Sequence, residues 1–158
     1  MTAHGELLII GCGNTLRRDD GVGPRVAQAI AALNLPGTRA IARHQLAPEL
    51  AEPISQASGV IFVDADVNAA GEVRLNKLEP KDGEEVFAHT VDPRSLLALG
   101  RQLFGCNPPA WSLAIPVEDF GFGEGLSPRG EAGLQAAIKY VRAHASRFHP
   151  IQAASHRS

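Results

Sequence analysis

Cysteine is scarce in this chain: Cys12 and Cys106 are the only two in 158 residues. They have neither the close pairing of a metal knuckle nor the density of a disulfide framework, and that usage favours a reduced cytoplasm. Excess charge of one sign is absent as well. Fifteen Lys and Arg against seventeen Asp and Glu leave a net charge of −2, which gives no electrostatic case for binding nucleic acid or a membrane surface. No basic region followed by a long apolar run opens the sequence, so neither a leader nor a membrane span is expected. Repeats and low-complexity tracts are missing too. What remains is an ordinary globular composition, 44% apolar and 20% charged, at the size of one compact domain. Residues 1–150 are expected to form that domain, and residues 151–158, which lack apolar periodicity, a flexible tail.

The residues that are present alternate in period. Apolar runs suited to strands occur at 7–11, 39–43, 60–64, 73–78 and 111–116, and helical spacing occurs at 22–33, 48–57, 93–104 and 128–145. Strands alternating with helices predict an α/β fold with a mainly parallel sheet covered on both faces. Asp92-Pro93 and Ser127-Pro128 each read as an N-cap followed by proline at the first helical position. Pro53 interrupts the second helical segment.

The most informative stretch is Gly11-Cys12-Gly13-Asn14-Thr15-Leu16-Arg17-Arg18-Asp19-Asp20-Gly21-Val22-Gly23. It joins the first apolar run to a helix whose apolar positions are Val22, Val26, Ile30 and Leu33. Glycine turns before helices commonly hold phosphates, but the Gly-Lys-Ser/Thr ending of a P-loop is missing and Leu16 stands where a dinucleotide fingerprint needs its third glycine. Asp19 and Asp20 would also oppose a phosphate, so no nucleotide cofactor is expected. The two carboxylates either cap the following helix or belong to a site.

A second carboxylate ends the continuous apolar run Val60-Ile61-Phe62-Val63, namely Asp64. Ligands in open parallel sheets bind beyond the carboxyl ends of the strands, so the loops after the first and central strands face one crevice. His89 precedes the helix that starts at Asp92-Pro93 and could return to the same rim. Asp20, Asp64 and His89 thus form a candidate three-ligand metal site with open positions. The competing readings are a turn cap for Asp64 and a surface position for His89. Cys12 with His89 offers a different chemistry, a cysteine hydrolase, and a crevice without chemistry would suit a metal or nucleotide sensor.

These segments, together with Gly123-Glu124-Gly125-Leu126-Ser127-Pro128, resemble the nickel-iron hydrogenase maturation endopeptidases. Those enzymes remove a C-terminal extension from the hydrogenase large subunit after nickel insertion. The resemblance implies a three-layer α/β sandwich with a twisted sheet between helical layers. It also implies metal contact, and catalysis, at Asp20, Asp64 and His89. Nickel would be supplied by the precursor, which is the implied partner, so that cleavage checks metallation. One stretch departs from the commoner pattern: His44-Gln45-Leu46-Ala47-Pro48-Glu49-Leu50 replaces a glycine- and threonine-containing turn, and resembles the branch serving bidirectional, NAD(P)-linked hydrogenases. His44 and Gln45 are secondary candidates for substrate contact, with an edge-of-strand structural role the alternative for His44.

Overall fold

The computed structural model describes residues 5–69, 71–82 and 91–148. Among these residues five strands form one sheet: β1 (Leu7–Cys12), β2 (Thr38–Arg43), β3 (Gly59–Asp66), β4 (Arg74–Leu78) and β5 (Ala110–Pro116). Their order is β2-β1-β3-β5-β4. The first four in that order run parallel, and the edge strand β4 is antiparallel to β5. Among the described residues the α-helices are α1 (Val22–Leu33), α2 (Ala51–Gln56), α3 (Pro93–Phe104) and α4 (Pro128–Phe148).

Strand alternation divides the core between the two faces of the sheet. Leu7, Ile9, Ile61, Val63, Leu113 and Ile115 pack with Val22, Val26 and Ile30 of α1 and with Ala137, Val141 and Ala145 of α4. Leu8, Ile10, Val60 and Phe62 turn the other way, onto Ile54 of α2 and Leu96 and Leu97 of α3. Each such large side chain, buried to within a few per cent of zero exposure, contributes roughly 1.5–3 kcal/mol. The outcome is a three-layer sandwich, and the apolar runs of β1 and β3 reflect burial on both faces.

The expected 48–57 helix is divided. Residues Pro48–Leu50 make one 3-10 turn and α2 begins at Ala51, so Pro53 is the third residue of the helix. There its missing N–H has no intrahelical partner to lose, which is why proline shortens the element without abolishing it. The capping expectations for α3 and α4 hold in detail. Asp92 accepts from the Ser95 N–H at 2.8 Å, and the Ser95 hydroxyl accepts from the Asp92 N–H at 3.0 Å, a reciprocal capping box. Ser127 accepts the Gly130 N–H at 3.0 Å. Among the described residues no helix is long and apolar enough to cross a membrane.

Candidate functional site

The first requirement for a rim site is that β1 hand the chain to α1 without bulk. A Cβ on Gly11 would collide with the Gly23 carbonyl, and one on Gly23 would lie 2.6 Å from the carbonyls of both Cys12 and Val63. Two glycines thus let the start of α1 sit directly on the carboxyl ends of β1 and β3. Parallel register pairs Gly11 with Val63, so Asp64 emerges level with Cys12.

Asp20 reaches the same place from the loop. It lies in the 3-10 turn Arg18–Gly21, half-buried, and its Oδ2 accepts the Asn14 N–H at 3.0 Å. Neither carboxylate caps α1, whose N-cap is Gly21 with no side-chain bond, so the capping alternative fails for that helix. Asp64 accepts the Ala65 N–H at 2.8 Å. Although the residue is solvent-accessible, its carboxyl is raised to about 6. Desolvation at the strand ends is the main cause, opposed by the Ala65 N–H and reinforced by the negative charges of Asp20 and then Asp66. The structure therefore brings Asp20 and Asp64 within electrostatic range of each other.

Cys12 is drawn into the same field. Its thiol donates to the His44 carbonyl at 3.5 Å, and burial followed by the Asp64 charge pushes its pKa above the ordinary value, with a smaller push from Asp20. A nucleophilic cysteine needs the opposite shift, so these surroundings disfavour the thiol mechanism. His44 and Gln45 are exposed and follow β2, which puts them at the same end of the sheet. His89 and residues 151–158 lie outside the described residues. Among the described residues no group of three His, Cys, Asp or Glu side chains is arranged to hold a metal ion. Asp20 and Asp64 supply two hard oxygen donors whose mutual repulsion a divalent cation would relieve, so the donor set fits a cation completed by ligands from elsewhere.

The sequence presents Asp19 only as half of an acidic pair, and the structure gives it a separate task. It has no exposed surface. Its Oδ1 accepts the Ser127 N–H at 2.8 Å, and its Oδ2 accepts the Ser127 hydroxyl at 2.6 Å and the N–H groups of Glu118 and Asp119 at 3.1 Å each. Burial pushes the carboxyl upward, but the Ser127 hydroxyl and the three N–H groups outweigh it and hold the pKa below its usual value. Gly130 is needed beside it, because a Cβ there would strike Asp19 Oδ1. Further bonds zip the same two loops: Arg18 N–H to the Gly123 carbonyl at 2.9 Å, Gly123 N–H to the Leu16 carbonyl at 2.8 Å, and Asp19 N–H to the Asp119 carbonyl at 2.9 Å. The only sequence signal for this joint is the pairing of an Asp in the first loop with Ser-Pro at a distant helix start.

A cleft of about 350 Å³ runs between α4 and residues 71–73, lined by Val73, Pro116, Ala132, Gly133, Ala136 and Tyr140 among others. None of Cys12, Asp20 or Asp64 borders it, so the carboxylates define a different place on the molecule.

No family model and no curated protein matches the sequence. Solved structures do match. Hydrogenase maturating endopeptidase HybD from E. coli superposes with a TM-score of 0.68 at 24% identity, over 90% of this chain and 92% of that one. The maturation protease HybD from Thermococcus kodakarensis gives 0.67 at 21% identity, over 89% and 99%. An endopeptidase from Escherichia coli, solved in solution, gives 0.65 at 25% identity, over 90% and 92%. The chain has the fold of the hydrogenase maturation endopeptidases. That fold extends over nearly the whole of each of these endopeptidases.

Proposed function

We propose that the chain is an endopeptidase that removes the C-terminal extension of a nickel-iron hydrogenase large-subunit precursor after nickel insertion. The observation that carries this reading is the meeting of Asp20 and Asp64 at the carboxyl edge of a sheet whose fold is shared with hydrogenase maturation endopeptidases. His89 is the proposed third donor. Nickel belongs to the substrate in this scheme: Asp20, Asp64 and His89 would hold it from this side, and it would supply a Lewis acid for the scissile carbonyl.

The chain's own residues do the rest. Asn14 and Ala65 each donate a backbone N–H to one carboxylate, which fixes the direction of its remaining oxygen. Without a cation, burial and the charges of Asp20 and Asp66 hold the Asp64 carboxyl at about 6, so a cation placed there would relieve that repulsion. With the substrate's nickel as Lewis acid, a water would add its oxygen to the scissile carbonyl carbon, the C–N bond would break, and the water's proton would pass to the leaving amine. Two carboxylates without a thiolate should hold nickel weakly alone, so occupancy depends on ligands contributed by the precursor, and cleavage reports correct metallation. The His44-Gln45-Leu46 stretch, exposed beside this rim at its first two residues, supports assignment to the branch serving bidirectional NAD(P)-linked hydrogenases. It also supports a substrate-contact role for His44 and Gln45.

The test is incubation of nickel-loaded precursor with wild-type protein and with Asp20→Asn, Asp64→Asn and His89→Ala, followed by intact mass measurement. Loss of a C-terminal peptide with wild type and none with the three folded variants is the expected result. Wild-type rates in all three would overturn the site assignment.

A further inference from the structure

The loop that presents Asp20 contains a conformational oddity: Arg18 adopts the left-handed backbone region, at φ 48°, although it is not glycine. Such a conformation is strained and persists only where its surroundings over-determine it. Here they do. The Arg18 N–H is bound to the Gly123 carbonyl at 2.9 Å, its Nε pairs with Asp119 at 2.8 Å, and the next residue is the fully buried Asp19 with its four accepted hydrogen bonds. Within the turn, the Asp20 N–H returns to the Arg17 carbonyl at 3.1 Å. The backbone leading into Asp20 is thus held by groups whose own anchor is the 117–127 loop at the start of α4.

We propose that Asp19 is the positioning residue of the site, clamping the Arg18–Gly21 turn against Ser127 and residues 118–119 so that the Asp20 carboxylate keeps its place on the Asn14 N–H, within electrostatic range of Asp64. Asp19 touches no reacting atom. Its carboxylate takes four donors from a segment about a hundred residues away, and the geometry of Asp20 is a consequence of that joint. A displacement of about 1 Å at a catalytic group can cost about a hundredfold in rate, so the clamp governs turnover more than substrate capture. This inference rests on the endopeptidase reading for its activity arm only.

Three variants and two readouts test it. Asp19→Asn keeps the shape but turns an NH2 group toward N–H donors. Ser127→Ala removes only the 2.6 Å hydroxyl bond, and Ser127→Thr keeps a hydroxyl at the cap. With nickel-loaded precursor, Asp19→Asn should lower kcat by about 10–100-fold with KM within about threefold of wild type. Ser127→Ala should show a smaller fall in kcat, and Ser127→Thr should recover most of it. Independently of activity, hydrogen exchange of the Asn14 amide, which donates to Asp20 Oδ2 at 3.0 Å, should accelerate in Asp19→Asn and Ser127→Ala but not in Ser127→Thr. A residue that served stability alone would lower the melting temperature while leaving kcat of the folded protein unchanged. Folded Asp19→Asn with kcat within twofold of wild type, or with wild-type Asn14 protection, overturns the proposal. Should Asp19→Asn not fold, the Ser127 pair decides it by the same criteria. Should wild type fail to cleave any precursor, the endopeptidase reading falls and the Asn14 amide decides the clamp.

Discussion

Asp64→Asn should make the protein more stable while abolishing its proposed activity, and the gain should depend on pH in a direction fixed by the site. In the folded chain the Asp64 carboxyl stands at about 6, against 3.8 for an ordinary aspartate. The native state therefore holds its proton more tightly than the unfolded state does. Between about pH 4 and pH 6 the folded form binds more protons, so this group's contribution to stability is fully present below the lower value and is lost as pH rises through the upper one. At about 1.4 kcal/mol per tenfold change in proton affinity the unscreened ceiling is near 3 kcal/mol. Asp64 is solvent-accessible, and screening of an exposed group reduces that to about 1 kcal/mol or less. For a chain of this size the corresponding rise in melting temperature is about 2–4 °C. Thermal melts of wild type and Asp64→Asn from pH 3.5 to 8 check this. The two curves should nearly coincide below pH 4 and separate in favour of the variant above pH 6. A variant that melts lower at pH 7.5, or whose advantage is the same at every pH, would refute the claim that the fold holds Asp64 at an energetic disadvantage.

Three further outcomes follow from the same geometry. Cys12→Ala should retain cleavage within about threefold, because the raised thiol supplies no nucleophile; complete loss with unchanged circular dichroism would restore the cysteine mechanism. Asp92→Ala breaks the reciprocal cap of α3 and should cost about 1 kcal/mol, a fall of about 2–4 °C, and an unchanged melting temperature would show that the cap contributes nothing. Gly23→Ala places a methyl 2.6 Å from two carbonyls that belong to packed strands and cannot swing aside; it should cost about 2–3 kcal/mol, at the upper end of overpacking effects, and wild-type stability in urea would show that the α1 start can move.

Much of the fold was legible because its signals are local. The unbroken apolar run Val60-Ile61-Phe62-Val63 is what a strand covered on both faces requires, and β3 is the centre of the sheet. The proline-led helices α3 and α4 start where their caps announce them. The division of the 48–57 segment was less legible, since Pro53 tells that the helix is disturbed but not where its regular part begins. The antiparallel direction of β4 was not legible at all, because strand direction at an edge depends on a connection and not on the residues of the strand. At the site, the rim rule placed Asp20 and Asp64 at one end of the sheet. The task of Asp19 escaped that rule because its partners, Glu118, Asp119 and Ser127, are about a hundred residues distant and only packing of α4 against α1 brings them near.

The most direct test of the central claim is cleavage of a hydrogenase large-subunit precursor in matched nickel-loaded and nickel-free forms. The protease is first treated with chelator and then freed of it, and the products are read by intact mass. The account predicts loss of a short C-terminal peptide from the nickel-loaded precursor alone, at the rate given by untreated protease. Efficient cleavage of the nickel-free precursor would contradict it, as would a chelator-treated protease that stays folded yet inactive toward the loaded substrate.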